Sequence, residues 1–136
     1  MAGDGELDPE DVASVAEFRA ALRRFMRRSE RIARSSGLTP QRYLLLLMIK
    51  GSAAERSTVT ELSERLQLAQ STVTELVRRA EEVGLIDREP SSDDGRVAHL
   101  RLTTEGERRL ANAFTTLESE RKELRDAILL YLEGVK

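Results

Sequence analysis

Side chains able to make or break bonds are scarce in this chain. It has one histidine, His99, and neither cysteine nor tryptophan. Without cysteine there are no disulfides, thiolate zinc sites, iron–sulfur clusters or thiol-based redox switches. A single histidine cannot build a multi-histidine metal site, and His99 falls on the polar phase of a predicted strand, where a satisfied surface role is the simplest reading. No Ser-His-Asp set, glycine-rich phosphate loop or paired-carboxylate motif stands out. An enzyme reading therefore has no supporting constellation, and neither a cofactor nor a metal is expected. The side chains that remain suit hydrogen bonding and charge pairing. They are Gln70, Ser71, Thr72 and Thr74, followed by Glu75, Arg78 and Arg79; Arg88; the turn segment Asp94-Gly95-Arg96; and seven arginines within residues 17–34.

The chain of 136 residues argues for one domain, with room to bury roughly two-thirds of its unfolded surface. With 34% charged and 40% apolar residues it has a globular composition. Net charge is −2, from 22 bases and 24 acids, so the balance itself indicates no partner. The distribution is uneven. Residues 1–16 hold five acids and no base, whereas residues 17–34 hold seven arginines against Glu17 and Glu30. Arginine binds phosphate bidentately and equally forms ordinary surface ion pairs, so this segment reads either as a solvated basic face or as a DNA-backbone contact through Arg23, Arg27 and Arg34. The longest apolar run, Leu44 to Ile49, is far short of the roughly 20 residues of a membrane span. Met1 to Glu10 is acidic and lacks a signal-peptide layout, which makes a cytoplasmic protein the expectation.

Helical periodicity and caps place the elements. Asp8-Pro9-Glu10-Asp11 is a helix start, and the helix is predicted to run to about Ser35 with Gly37 beyond its end. It carries two apolar stripes. One is Val12, Val15, Leu22 and Met26; the other is Phe18, Ala21, Phe25 and Ile32. A surface helix needs only one, so two stripes suggest two partners, the core and a second subunit. Thr39-Pro40 opens a second helix, buried on most sides, that stops at Gly51. Thr58-Val59-Thr60-Glu61 has the capping-box pattern and starts a short helix with Leu62 and Leu66 inward. Gln67 to Gln70 reads as a turn. The next helix begins at Ser71, buries Val73, Leu76, Val77 and Ala80, and closes at Gly84. Helices of about eight and thirteen residues around a tight turn make a helix-turn-helix candidate. Leu85 to Glu89 and Val97 to Leu102 read as strands flanking a segment dense in turn formers, which makes a hairpin, or wing. From Thr103 helical spacing resumes, with a polar break at Glu118 to Glu123. Ile128 to Leu132 is apolar on all sides, a liability unless something covers it.

The order of helix, helix, helix-turn-helix, wing and long helix resembles the MarR family of transcription regulators. Leu68 to Arg79 (LAQSTVTELVRR) looks like its recognition-helix pattern. Gly84-Leu85-Ile86-Asp87-Arg88 is similar to its G-L-V-x-R. Asp94-Gly95-Arg96 with Leu100-Arg101-Leu102-Thr103 looks like its wing signature, and Leu38 to Tyr43 resembles the opening of its second helix. The resemblance covers roughly residues 8–132. Two positions depart from it. Position 75 is Glu where the family often has Arg or Lys, and position 78 is Arg where it often has Asp. The exchanged signs sit at salt-bridge spacing. An acid there can accept from cytosine N4 but is repelled by phosphate.

The resemblance implies a mainly α (α+β) fold, a winged helix-turn-helix at residues 52–102 between dimerisation helices at 8–36 and 103–136, with an acidic tail at 1–7 before a single domain at 8–136. It implies double-stranded DNA as partner, a pseudo-palindromic operator, and a contact set of Gln70, Ser71, Thr72, Thr74, Glu75, Arg78, Arg79, Arg88, Asp94 and Arg96. The residues at the start of a recognition helix lie nearest the base edges. Gln can pair with adenine, while Ser and Thr reach bases or phosphates; a plain helix cap is the other reading of Ser71 and Thr72. Arg96 would enter a narrow minor groove, whose negative potential attracts arginine, with Asp94 holding Arg96 or Arg88 in place. The alternative for this pair is a solvated turn. A small aromatic or phenolic ligand is implied too, with Met26, Tyr43, Leu47 and Phe114 as its neighbours or simply as core. Lack of cysteine excludes the thiol-based peroxide sensors of the family. A single histidine argues against its zinc sensors, and lack of tryptophan against its urate-responsive members. The expectation is a homodimeric DNA-binding regulator, a repressor released by ligand, with no membrane association. The competing reading is a winged-helix protein–protein module without a DNA site, favoured by the net −3 charge of residues 55–109.

Overall fold

Helix starts and stops follow the caps. The structure, a computed structural model, describes residues 5–90 and 97–134. Helix α1 spans Pro9–Ser35. Asp8 Oδ1 accepts from the Glu10 amide at 2.9 Å, and Glu10 and Asp11 meet the positive end of the helix dipole. The helix ends where Gly37 turns to φ +79° and the Leu38 amide donates back to the Ala33 carbonyl at 2.9 Å. Helix α2, Pro40–Lys50, starts with the Thr39 hydroxyl accepting from the Arg42 amide, as the sequence predicts, and stops at Gly51. After a 3-10 turn at Ala53–Glu55 come α3, Val59–Leu66, and α4, Gln70–Glu82, followed by strands β1, Ile86–Pro90, and β2, Ala98–Leu102. Helices α5, Thr104–Thr116, and α6, Glu118–Gly134, complete the chain. The polar break is thus a helix boundary, at Leu117.

The chain divides into two compact units, one of residues 33–114 and one of residues up to 32 with those from 115 onward. In the central unit α2 packs on α3, α4 and β2, and α4 also meets β1. Leu45, Leu46, Ile49, Leu62, Val73, Val77, Leu85 and Leu100 are fully buried there. Each such aliphatic side chain contributes about 1.5–3 kcal/mol through removal from water. β1 and β2 pair antiparallel with Ile86 opposite Leu102 and Glu89 opposite His99, and Ser57 adds a backbone bridge to Leu100. Lys50 ties α2 to the 3-10 turn and to α5, donating to Glu107 at 2.7 Å and Glu55 at 3.0 Å. The Glu107 carboxylate, with that of Glu55, holds the Lys50 ammonium above its ordinary pKa.

Helix α2 is buried on most sides, with Leu44 the one exposed residue of its apolar run Tyr43 to Ile49. Two sequence expectations need correction here. His99 is half-buried, and its Nδ1 is buried with no hydrogen-bond partner among the described residues, so it is not a satisfied surface histidine. The first strand lies one residue later than expected at both ends and the second starts one residue later, while the Thr103 amide still donates to the Leu85 carbonyl beyond the ladder.

In the terminal unit the two stripes of α1 differ in exposure, although Leu22 of the first stripe is half-buried. Phe18, Ala21 and Phe25 are half-buried, and Phe18 stacks on Tyr131 of α6. Val12, Val15 and Met26 stay exposed, as do Ile128, Leu129, Leu130 and Leu132 on α6. Arg28 and Glu123 pair across the same two helices at 2.8 Å.

Candidate nucleic-acid interface

The turn between α3 and α4 sets the angle at which α4 leaves the core. Thr58 caps α3, its hydroxyl oxygen accepting from the Glu61 amide at 3.2 Å and donating to the Glu61 carboxylate at 3.1 Å. Gln67 ends α3 in the left-handed region at φ 57°, ψ 45°, a conformation that few non-glycine residues adopt. Ser63 then fastens the turn, its hydroxyl donating to the Leu68 carbonyl at 2.6 Å while the Leu68 amide donates to the Ser63 carbonyl at 3.2 Å.

Helix α4 starts one residue earlier than Ser71. Its N-cap is Ala69, and no side-chain oxygen caps it. Ser71 and Thr72 are therefore not caps but the second and third residues of the helix, and the cap reading of both is overturned. Its first amides are left without a side-chain acceptor, which suits an anion. Val73, Val77 and Ala80 anchor the helix in the core with no exposed surface. Gln70, Ser71, Thr72, Thr74, Arg78 and Arg79 are all exposed and Glu75 is half-exposed. Six of these side chains, Ser71, Thr72, Thr74, Glu75, Arg78 and Arg79, thus come together on the side of the helix away from its buried face, whereas Gln70, seven residues before the buried Val77, stands at the helix start beside α3. Gln70 donates to Thr60 Oγ1 at 3.4 Å, which links the start of α4 to α3.

Charges on α4 are paired. Arg78 grips Glu75 with two bonds, Nε to Oε2 at 2.9 Å and a terminal nitrogen to Oε1 at 2.6 Å. Arg79 Nε donates to the same Oε1 at 3.0 Å, and Arg78 also bonds Glu82. The Arg78 guanidinium, then that of Arg79, holds the Glu75 carboxyl at about 2, well under its ordinary value, and Glu75 in turn raises Arg78. The salt bridge expected from the exchanged signs at positions 75 and 78 is present. Glu82 stands at i,i+4 spacing from Arg78, a pairing that the sequence itself offers. Arg88 on β1 makes a forked contact with Glu81, Nε to both carboxylate oxygens at 2.9 and 3.1 Å. That pair spans helix end and strand, so no local spacing reveals it.

Asp94 and Arg96, the wing residues singled out from the sequence, lie outside the described residues. The four residues expected near a ligand have different settings. Tyr43 is buried and Leu47 half-buried on α2, whereas Met26 on α1 and Phe114 on α5 are exposed. Among the described residues no group of three or more His, Asp or Glu side chains is placed to hold a metal ion. None of the helices there is long and apolar enough to cross a membrane.

Comparison with known proteins agrees with this architecture. Residues 36–97 match the sequence model of the MarR family. The HTH-type transcriptional repressor IacR of Pseudomonas putida is 32% identical over 83 residues, which cover 61% of this chain and 48% of that protein, so the chain spans about half the length of this curated relative. Wild-type MarR from E. coli superposes with a TM-score of 0.72 at 20% identity, covering 94% of this chain and 96% of that one. AbsC, a MarR family transcriptional regulator from Streptomyces coelicolor, gives 0.69 at 18% identity over 91% and 82% of the two chains. A MarR variant from E. coli complexed with operator DNA gives 0.69 at 20% identity over 94% and 96%. With its helix-turn-helix, β-hairpin and flanking helices in this order, the chain has the fold of the MarR family structures, and its residues 36–97 match the sequence model of that family.

Proposed function

We propose that this protein is a homodimeric, sequence-specific DNA-binding regulator of transcription. It acts as a repressor on a pseudo-palindromic operator and is released by a small aromatic or phenolic ligand. The observation that carries this reading is the start of α4, where Gln70, Ser71, Thr72 and Thr74 stand exposed on a helix locked to the core by Val73, Val77 and Ala80. A helix of this kind fits the major groove, with its first residues nearest the base edges. IacR is named a transcriptional repressor, and a MarR variant has been solved with operator DNA, which supports the same role here.

Dimerisation falls to residues 8–36 and 103–136 and DNA binding to residues 52–102. The support for a dimer is the apolar surface left open on α1 and α6, with Met26 52%, Leu130 69% and Leu132 63% exposed. A second subunit related by two-fold symmetry buries both patches at once. The protein works in the cytoplasm, where its operator is accessible. The ligand lies near Met26, Tyr43, Leu47 and Phe114, and Arg96 of the wing enters the minor groove.

One observation favours a second reading, a protein–protein module without a DNA site. Residues 55–109 carry nine bases and twelve acids, and both arginines of α4 are already paired with acids. Selection of bound duplexes from random DNA separates the two. The regulator reading expects a pseudo-palindrome, and Arg96→Ala is expected to weaken its binding more on A·T-rich flanks than on G·C-rich ones. A pool that stays random after repeated rounds supports the interaction module.

A further inference from the structure

We infer that Glu75 selects a C·G base pair in each operator half-site, its carboxylate accepting from cytosine N4 while Arg79 donates to the paired guanine. This rests on the DNA-binding reading above and adds a specificity that the family pattern, basic at this position, does not carry.

Position comes first. At about 100° per residue, Glu75 lies on the pole of α4 opposite the fully buried Val73, Val77 and Ala80. Ser71 and Thr72, one turn earlier, and Arg78 and Arg79, one turn later, flank it. A helix laid in the major groove by its polar face therefore presents Glu75 centrally. Geometry comes second. Three hydrogen bonds from Arg78 and Arg79 fix the carboxylate, two on Oε1 and one on Oε2. A carboxylate offers about four acceptor positions, so Oε2 keeps room for one more donor. A side chain already held in place also has less freedom to lose on binding.

Chemistry then restricts the base. The carboxyl stays ionised down to about pH 2 and is an acceptor only. It cannot pair with guanine O6 and N7 or with thymine O4, which are acceptors themselves. The major-groove donors are cytosine N4 and adenine N6. Arg79 decides between them. It is held through Nε, and among the described residues its terminal nitrogens make no bond, on a side chain that is 61% exposed. Those nitrogens match the O6 and N7 pair of guanine, whereas the partner of adenine offers one acceptor beside a methyl group. The pairing with Arg78 and Arg79 also offsets the repulsion between Glu75 and phosphate.

The test is selection of bound duplexes from random DNA by wild type, Glu75→Gln and Glu75→Ala, followed by titration of the wild-type operator with that C·G pair changed to A·T. The wild type is expected to fix C·G at one position of each half-site and to lose about tenfold or more in affinity on the A·T duplex. Gln, which pairs with adenine N6 and N7, is expected to admit A·T at that position, and Ala to weaken the C·G preference to what Arg79 alone supplies through guanine, with the other positions unchanged. A wild-type pseudo-palindrome that both variants reproduce at every position, or equal wild-type affinity for the two duplexes, overturns the inference and leaves the DNA-binding reading standing. Failure of the wild type to enrich any sequence overturns both.

Discussion

The ring of Phe18 on α1 lies on that of Tyr131 on α6, with centroids 4.7 Å apart and planes 28° from parallel. This contact assigns one of the two apolar stripes of α1 to the chain itself. Replacing Phe18 by Ala removes an offset aromatic pair and part of a large apolar side chain. The site is half-buried, so the expected loss is about 1–3 kcal/mol, below the range for a fully buried Phe. Denaturant unfolding of Phe18→Ala at fixed protein concentration measures it. An unchanged midpoint would mean that the stack contributes nothing.

Of the other stripe Val12, Val15 and Met26 are exposed, as are Leu129 and its neighbours, and the proposed dimer would use this surface. Leu129→Asp is expected to yield a single-chain mass by light scattering at micromolar concentration, because a carboxylate buried in a subunit contact costs several kcal/mol. DNA affinity should fall with it, since one chain offers half the phosphate contacts. If the variant keeps the mass of a dimer, the end of α6 is not in the interface.

Gly106 is the residue that lets α5 begin against β1. A Cβ built there would stand 2.1 Å from the Leu85 carbonyl oxygen, and the Gly106 amide donates to the Thr103 hydroxyl at 3.0 Å. The obstructing atom is backbone and cannot swing aside. Gly106→Ala is therefore expected to destabilise the protein by about 1–3 kcal/mol or more, although alanine is the better helix former. Thermal unfolding of this variant beside Gly134→Ala, at the far end of α6, gives the comparison. A Tm equal to wild type for Gly106→Ala would contradict the packing described.

Much of this architecture was legible in the residues. Caps at Asp8, Thr39 and Thr58 name their own partners two or three positions on, so three helix starts follow from local chemistry alone. The start of α4 did not follow, because Ala69 offers no side-chain signal and the preceding turn depends on Gln67 adopting a left-handed conformation that its residue type does not favour. Helix α2 hid the exposure of Leu44, since Tyr43 to Ile49 is apolar at every position and periodicity carries no information in such a run. The contact of Arg88 with Glu81 was invisible for another reason. It joins two elements whose approach is set by packing around Val77, Ala80 and Leu85. The pair of Glu75 with Arg78 was visible because it lies within one helical turn.

Acid should weaken the fold through Glu105 as well as Glu75. The Arg108 guanidinium, then that of Arg109, holds the Glu105 carboxyl at about 2 rather than 4.5. A carboxyl depressed on folding stabilises the folded state above its unfolded pKa and loses that contribution as pH falls through the folded one. The stabilisation by Glu105 is thus complete above about pH 4.5 and fades towards pH 2. Glu105→Gln should flatten the fall in Tm across that window and change its shape little at neutral pH. A profile parallel to wild type below pH 4.5 would show that Glu105 titrates normally.

Whether the exposed face of α4 reads DNA is most directly tested by equilibrium titration of the purified protein. A labelled duplex recovered by selection is compared with a scrambled duplex of equal length and composition, at several salt concentrations. The account predicts that the selected duplex binds about a thousandfold or more tighter than the scrambled one, with affinity for both falling as salt rises. Equal affinity for the two duplexes at every salt concentration, or no binding to either, would contradict it.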